Sequence, residues 1–586
     1  MNVDYRALAK LEIDGQQAPT SLMNDILQIT VEESLHLPGM FILVVQNDYF
    51  PGQAPELKDK PWRYHDLLKI GASVKIGFIS STTDSPVFKD SNEGTVIEGE
   101  ITAIEAFYNE QSQAPVIVRG YDVSHRLYRG RHNRSFQNMT DSDIVKKIAD
   151  EVGIQIGAID PSGVVHDYVF QQNQTNMEFL RQRAARIGFE FFVQDGKLNF
   201  RNPKGDPQNN LKLKWLKDIH SFRVRLTSAE QVKEVEVRAW DYSQKRPIVS
   251  TKNQENVITE NRNGKGSDTS NKFKGQPSKP KMIVVDQPLF NPKEADIMAQ
   301  ALCDELGGQF IYADAKAEGN AHIRPGRVLQ FEGKIGESDI GPYTGEYYIT
   351  ETRHTFIERI YMTEFSVRGL RGGDILTTLS PVNHLLPGQT LLVGIVTDNN
   401  DPEGWGRVKV KFPTLTEEHS SNWARVVTIG AGDQRGFDCL PEINDEVLVA
   451  FEHGDIHRPY IIGAVWNGKD KPPNQVRDSV KDGKVRLRSF KSRVGHNIQF
   501  VEEDKGFSKK GIYIETAGGH KLHINDSDNI VEISTVGGQS FSLDDKTGSI
   551  NITTPGLLNI TAGAITITST IGPITATTPL TGTKPL

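Results

Sequence analysis

At 586 residues the chain is long enough for several domains, and 37% hydrophobic content with 52 glycines describes a soluble, turn-rich and β-rich protein. A formal net charge of −8 argues against a general binder of nucleic acid or anionic membrane, because counterion release needs clustered Lys and Arg. Two cysteines, Cys303 and Cys439, exclude a disulfide framework and a Cys-based zinc site, and no run reaches the roughly 18–20 apolar residues of a membrane-spanning helix. The first residues, MNVDYRALAKLEID, lack the basic-then-apolar order of a Sec signal, so synthesis in the cytoplasm is expected, with any later transport by another route.

Residues 1–380 read as an α+β block. It opens with predicted strands over 25–31, 40–45, 73–79, 96–106 and 116–120. A basic run follows (Arg126, Arg129, Arg131 and Arg134, with His125 and His132), interleaved by Tyr128 alone. Single-strand binding needs a series of stacking aromatics, so a solvated face or a subunit contact is the better reading. Three helices are predicted. The first starts at Thr140, with Asp143 in the capping-box position, and stops at Gly153; the second runs from Thr175, with Glu178 three residues on, to Gly188. The third has Asn291 as cap and Pro292 at its first position, and ends before Gly307. Predicted strands at 189–193, 198–200, 232–239, 328–331, 347–351 and 361–368 surround these helices. Residues 243–281 turn polar and read as a long loop; its Gly264-Lys265-Gly266-Ser267 lacks the spacing of a phosphate loop.

Residues 386–468 read as five short strands with Gly-rich corners (391–397, 406–412, 424–428, 446–451 and 460–465), a pattern that suits a small closed OB-type barrel. After a linker at 469–484, residues 485–586 carry a ladder of apolar doublets. These are Ile512-x-Ile514, Leu522-x-Ile524, Val531-x-Ile533, Phe541-x-Leu543, Ile550-x-Ile552, Leu558-x-Ile560 and Ile565-x-Ile567, separated by Gly, Asn and Asp turn formers. The spacing shrinks from about ten residues to about seven along the chain, by the repeat count. Each strand buries only a thin stripe, so the ladder must stack on itself or wind with other copies. Three intertwined copies close a prism with all stripes inside and few free edges.

Residues 394–413 (GIVTDNNDPEGWGRVKVKFP), 423–426 (WARV), 441–460 (PEINDEVLVAFEHGDIHRPY) and 463–466 (GAVW) resemble the OB domain of VgrG-type spike proteins and of the phage baseplate spike. The start of the ladder, at 492–498 (SRVGHNI) and 516–520 (TAGGH), resembles the same spike. The first block is similar to the phage hub protein of the late control protein D type at 129–131 (RGR), 136–140 (FQNMT) and 179–192. This resemblance implies a mainly β protein: phage-hub-like β-rich domains with an α+β N-terminal part, an OB-fold barrel, and a C-terminal triple-stranded β-helix in a homotrimer. It implies a structural spike and hub at the tip of the inner tube of a contractile injection system, joining a hexameric Hcp-like tube protein to a PAAR-type tip protein and puncturing the target envelope. Baseplate proteins and effector cargo are further implied partners; nucleic acid is not. Assembly into a phage-tail-like particle, released or membrane-anchored, would follow.

No enzyme is expected. Only residues 467–484 separate the barrel from the ladder, too few for an inserted lysozyme domain. His453 and His457 share a His-x-x-x-His spacing, but zinc protease chemistry wants that spacing on a helix with Glu just after the first His, whereas Glu452 precedes it. His354 reads as a satisfied polar contact, and Glu502 with Glu503 as a solvated turn. No catalytic residue, cofactor-binding residue or metal ligand is assigned, and no cofactor is expected. The tip-protein contact is placed at Ile571, Ile574, Pro579, Leu580, Pro585 and Leu586, where prolines end regular pairing. The rival reading is an OB-fold glycan-binding or adhesin-like protein with a β-solenoid stalk; the lack of an evident aromatic platform counts against nucleic acid but leaves a glycan face open, and the missing Sec signal counts against an adhesin.

Overall fold

The computed structural model describes residues 4–47, 62–83, 92–107, 115–204, 211–273, 275, 279–287, 289, 291–335, 338–339, 341–369, 389–418, 420–573 and 575. The chain divides into two compact units, Met1–Asn467 and Gly468–Leu586. It is mainly β-sheet.

The first unit is organised by an eleven-stranded antiparallel sheet. Its order is Ile219–Leu226, Ile311–Glu318, Ile360–Val367, Glu351–Ile357, Ile26–Ser34, Met40–Val45, Val116–Asp122, Asn92–Ala106, Ser73–Thr83, Asp4–Ile13 and Gln16–Gln17. Strands from both ends of the first block meet where Glu351–Ile357 pairs Ile26–Ser34, with His354 opposite Val31. Ile29, Val31, Phe41, Leu43, Ile76 and Phe78 form one core; Ala313, Ala315, Phe331, Tyr347 and Phe365 form a second. Asp4–Ile13, which the sequence reading passes over, pairs Ser73–Thr83 along ten positions. Its inward positions alternate through Ala7, Leu11 and Ile13, but Ala, Leu, Lys and Glu are helix formers and mask that period.

The three expected helices form with their caps. Asp141–Glu151 carries the full Thr140/Asp143 capping box, and Asn176–Ile187 the full Thr175/Glu178 box with Gly188 left-handed at φ 73° as its stop. Pro292–Gly308 is capped by Asn291. The first two helices share a core with the antiparallel strand pair His132–Thr140 and Val165–Gln174, through Phe136, Ile144, Ile148, Phe179 and Leu180. The third packs on Glu234–Asp241 and Arg246–Lys252 through Ala295, Met298 and Ala299.

The polar segment at 243–281 is more ordered than a loop. Arg246–Lys252 and Lys281–Val284 flank Glu234–Asp241 as strands, and Ser267 and Ser270 are buried in a short turn of helix. Alternate residues of Arg246–Lys252 face solvent, which makes an edge strand look like a loop in sequence. The Ser267 N–H donates to the Glu255 side chain at 3.0 Å, so the donor a phosphate would need is already taken.

Residues 392–466 form a five-stranded sheet ordered Lys409–Lys411, Leu392–Asp398, Glu446–Phe451, Pro459–Ala464 and Arg425–Val426. It closes into a barrel because Val408 and Ala424, beside the two edge strands, exchange backbone hydrogen bonds of 3.0 and 2.7 Å. Val396, Val408, Val410, Ala424, Val447 and Val449 fill the interior.

The second unit is built on a seven-stranded antiparallel meander: Leu487–Lys491, Asn497–Val501, Gly511–Glu515, Lys521–Asn525, Ile530–Ser534, Ser540–Asp544 and Ser549–Thr553. The doublets from Ile512 to Ile552 lie on these strands. Leu558-x-Ile560 and Ile565-x-Ile567 do not join it; their residues form no strand in the chain. Spacing explains this. At about seven residues per repeat, a five-residue strand leaves about two residues to reverse the chain, and such turns want residues with positive φ. The links at 554–557 (TPGL) and 561–564 (TAGA) have one Gly each.

Candidate functional site

The meander sorts its residues by face. Register puts Ile498, Ile514, Leu522, Ile533, Phe541 and Ile552 in one column, and Phe500, Ile512, Ile524, Val531, Leu543 and Ile550 in the next. Both columns lie on the same face, because strand side chains alternate. Gln499, Tyr513, His523, Glu532, Ser542 and Asn551 line the other. The polar face is internally satisfied: His523 Nε2 meets Glu515 at 2.9 Å, the Tyr513 ring meets His523 edge-on at 4.8 Å, and the Tyr513 hydroxyl donates to the Lys509 carbonyl at 2.8 Å. The apolar face is not covered. Ten of its twelve side chains are exposed, from 36% at Leu543 to 68% at Ile550, and Leu522 and Val531 are part-buried. A contiguous stripe of half-exposed Ile, Leu and Phe marks an interaction surface. Gly511 sets one edge: at φ 152° a Cβ there would stand 2.0 Å from the Ile524 carbonyl oxygen.

On the barrel, the DNNDPEGWGRV turn is organised by Asp401. Its carboxylate accepts from Arg407 Nε at 2.9 Å and Nη2 at 2.7 Å, and from the N–H groups of Glu403, Trp405 and Arg407. These bonds, led by the one from Arg407, hold its carboxyl far below the usual carboxylate range. Arg407 is thereby fixed over Trp405 at 4.5 Å and Trp423 at 5.8 Å from the ring centroids. An aromatic platform therefore exists, contrary to the sequence reading. Trp405, Trp423 and Tyr460 line one cleft although the last is 37 residues from its nearer partner in the chain, and only barrel closure brings them together.

The remaining sequence candidates fall into structural roles. Arg126 pairs with Glu100 and donates to the Gly153 carbonyl at 2.8 Å, Arg131 meets Glu178 at 3.2 Å, and Arg134 binds Gln171, Asn176 and Glu151. The basic run is thus largely neutralised by its own chain. His354 is fully buried against the Tyr361 hydroxyl at 2.8 Å, and burial, aided by Arg324, lowers its pKa to about 3. His453 sits in a turn at φ 53°, while His457 is 85% exposed and bonds Asp455. Glu502 pairs with Arg488 and Glu503 with Lys481. Cys303 is buried, its thiol pushed up to about 12 by burial, and Cys439 is exposed; both are free. Of the residues assigned to tip contact, Ile571 is 98% exposed, and Ile574, Pro579, Leu580, Pro585 and Leu586 lie outside the described residues.

Residues 392–466 match a family model described as the type VI secretion system/phage-baseplate injector OB domain. The chain is 23% identical over 445 residues to the actin cross-linking toxin VgrG1 of Vibrio cholerae, and 30% identical over 152 residues to the type VI secretion system spike protein VgrG1a of Pseudomonas aeruginosa. By these matches the chain is similar to VgrG-type spike proteins, and residues 392–466 are their injector OB domain. These alignments take in 69% and 25% of the chain but only 37% and 22% of the two relatives' own lengths. Residues 74–358 also match a model described as the Alg8 N-terminal domain. Among solved structures, a prophage tail protein from Shewanella oneidensis aligns with 63% of the chain and 99% of its own, at TM-score 0.44 and 14% identity. An Escherichia coli type VI secretion component, described as similar to T4 tail proteins gp27 and gp5, aligns with 78% of the chain and 100% of its own at TM-score 0.37 and 17% identity.

Proposed function

We propose that three copies of this chain assemble through the apolar face of the meander into the spike of a contractile injection system. The observation that carries this reading is the uncovered double column of Ile, Leu and Phe between Ile498 and Ile552. Burying the exposed half of one such side chain is worth about 1 kcal/mol. Ten of them (Ile498, Phe500, Ile512, Ile514, Ile524, Ile533, Phe541, Leu543, Ile550 and Ile552) therefore put roughly 10 kcal/mol per chain behind association, enough to offset its entropic cost. Strands of five residues make a sheet about 17 Å wide. Three such walls enclose a narrow prism, and the two apolar residues per strand fill it. Beyond Thr553, where no strand forms among the described residues, the shorter repeats pair between copies as a triple-stranded β-helix.

In this assembly the first unit is the hub that meets the hexameric Hcp-like tube, the barrel is a collar, and the meander leads to a narrow point. Sheath contraction drives the point through the target envelope. Chemistry at an active site is not part of this role; the toxin named among the relatives is a longer protein, and the chain covers 37% of it. A PAAR-type protein caps the end near Ile571, baseplate proteins surround the hub, and effector cargo rides with it. The chain is made in the cytoplasm and enters a phage-tail-like particle. Co-expression of two differently tagged copies tests the assembly: each tag recovers the other, and Ile533→Lys abolishes the recovery. Failure of the unaltered chains to co-purify would contradict the reading.

A further inference from the structure

The barrel carries a cleft of about 950 Å³ that the spike role does not use. It is bounded by the first inter-strand loop at Trp405 and Arg407, by the strand face at Trp423 and Arg425, and by the last loop at Arg458. That is the side on which OB barrels take oligosaccharides and oligonucleotides. We propose that this cleft binds an acidic oligosaccharide.

Three observations support it. Trp405 keeps 71% of its surface in solvent while Arg407 stacks against it at 4.5 Å, so the indole is a fixed, open plate rather than a core side chain. Arg407 is a poor anion receptor, because the Asp401 carboxylate engages its Nε and Nη2 donors and offsets its charge. Other cations can. Arg425 lies 5.2 Å from the Tyr460 ring centroid and donates to its hydroxyl at 2.9 Å, yet neither Arg425 nor Arg435 has a carboxylate partner among the described residues. Lys409, at 4.8 Å from the Trp423 ring centroid, adds a third such charge beside the cleft. The acid Glu452 on the opposite wall is held by Arg458 at 2.9 Å and does not cancel them.

Flat apolar faces of sugar rings stack on indoles, and a uronate or sugar phosphate supplies the anion for a guanidinium. A nucleic acid fits less well. Its backbone needs a continuous basic track, whereas this cleft offers two unpaired guanidiniums beside Asp438 in a chain of net charge −8.

The test is calorimetric titration of the full-length chain with hexagalacturonate, neutral maltohexaose and a single-stranded dT oligonucleotide. Hexagalacturonate should bind, with affinity falling about tenfold in Trp405→Ala and about fivefold in Arg425→Gln at unchanged melting temperature. Arg488→Gln on the meander should bind as the unaltered chain does. If Trp405→Ala melts early, Arg425→Gln decides alone. Absence of hexagalacturonate binding, equal affinity for maltohexaose, or tighter binding of the dT oligonucleotide would each overturn the proposal. None of these outcomes depends on how many copies assemble.

Discussion

Trp240 donates its indole N–H to the Glu446 carboxylate at 2.9 Å, which joins the strand Glu234–Asp241 to the first residue of the barrel strand Glu446–Phe451. Asn467 donates to the other carboxylate oxygen at 3.0 Å, and Glu446 is buried. A buried carboxylate anchored this way fixes the barrel to the rest of the first unit. Trp240→Phe keeps most of the packing and removes the donor. The expected cost is about 1–3 kcal/mol, read as a lower melting temperature together with earlier proteolysis near the barrel.

Arg324 and Glu33 form a second tie. The guanidinium meets both carboxylate oxygens at 2.5 and 2.6 Å, donates to the Thr95 carbonyl at 2.7 Å and reaches Asp195 at 3.2 Å, with both partners of the main pair buried. Arg324→Met should destabilise the first unit by about 3–5 kcal/mol, because it strands a buried charge. Adding Glu33→Leu should return much of that loss. Denaturant midpoints of the single and double variants measure the difference.

Two buried groups tilt stability with pH in opposite directions. His354 falls to about 3 in the fold, from burial and then Arg324, against about 6.5 in an unfolded chain. The unfolded chain holds the extra proton between those values, so this contribution is complete above about 6.5 and is lost as pH falls. Asp122 is raised to about 6 by burial, against about 3.9 unfolded. Here the folded chain holds the extra proton, and stability is lost as pH rises through that window. Relative to the unaltered chain, His354→Gln should gain melting temperature as pH is lowered from 6.5 to about 4.5, and Asp122→Asn should lose it. Slopes of the same sign in both variants would refute the assignment.

Removing residues 572–586 should abolish binding of a PAAR-type tip protein and leave the melting of the first unit unchanged. Binding that survives the truncation would move the tip contact elsewhere.

Local signals were legible where one short segment carries them. Both Thr-x-x-acid boxes, the Asn291–Pro292 start and the doublets from Ile512 to Ile552 name their own caps and faces. What escaped depends on distant partners. Asp4–Ile13 is a strand because Ser73–Thr83 lies beside it, despite helix-forming composition. The Trp405, Trp423 and Tyr460 cleft exists only after Val408 meets Ala424. The Arg324–Glu33 tie spans 291 positions of sequence, beyond any local pattern.

The most direct measurement of the proposed spike is the solution mass of the purified full-length chain by sedimentation. A mass near three times 65.3 kDa, reduced to that of one chain by Ile533→Lys, is expected. A monomer in the unaltered chain would contradict the trimeric spike.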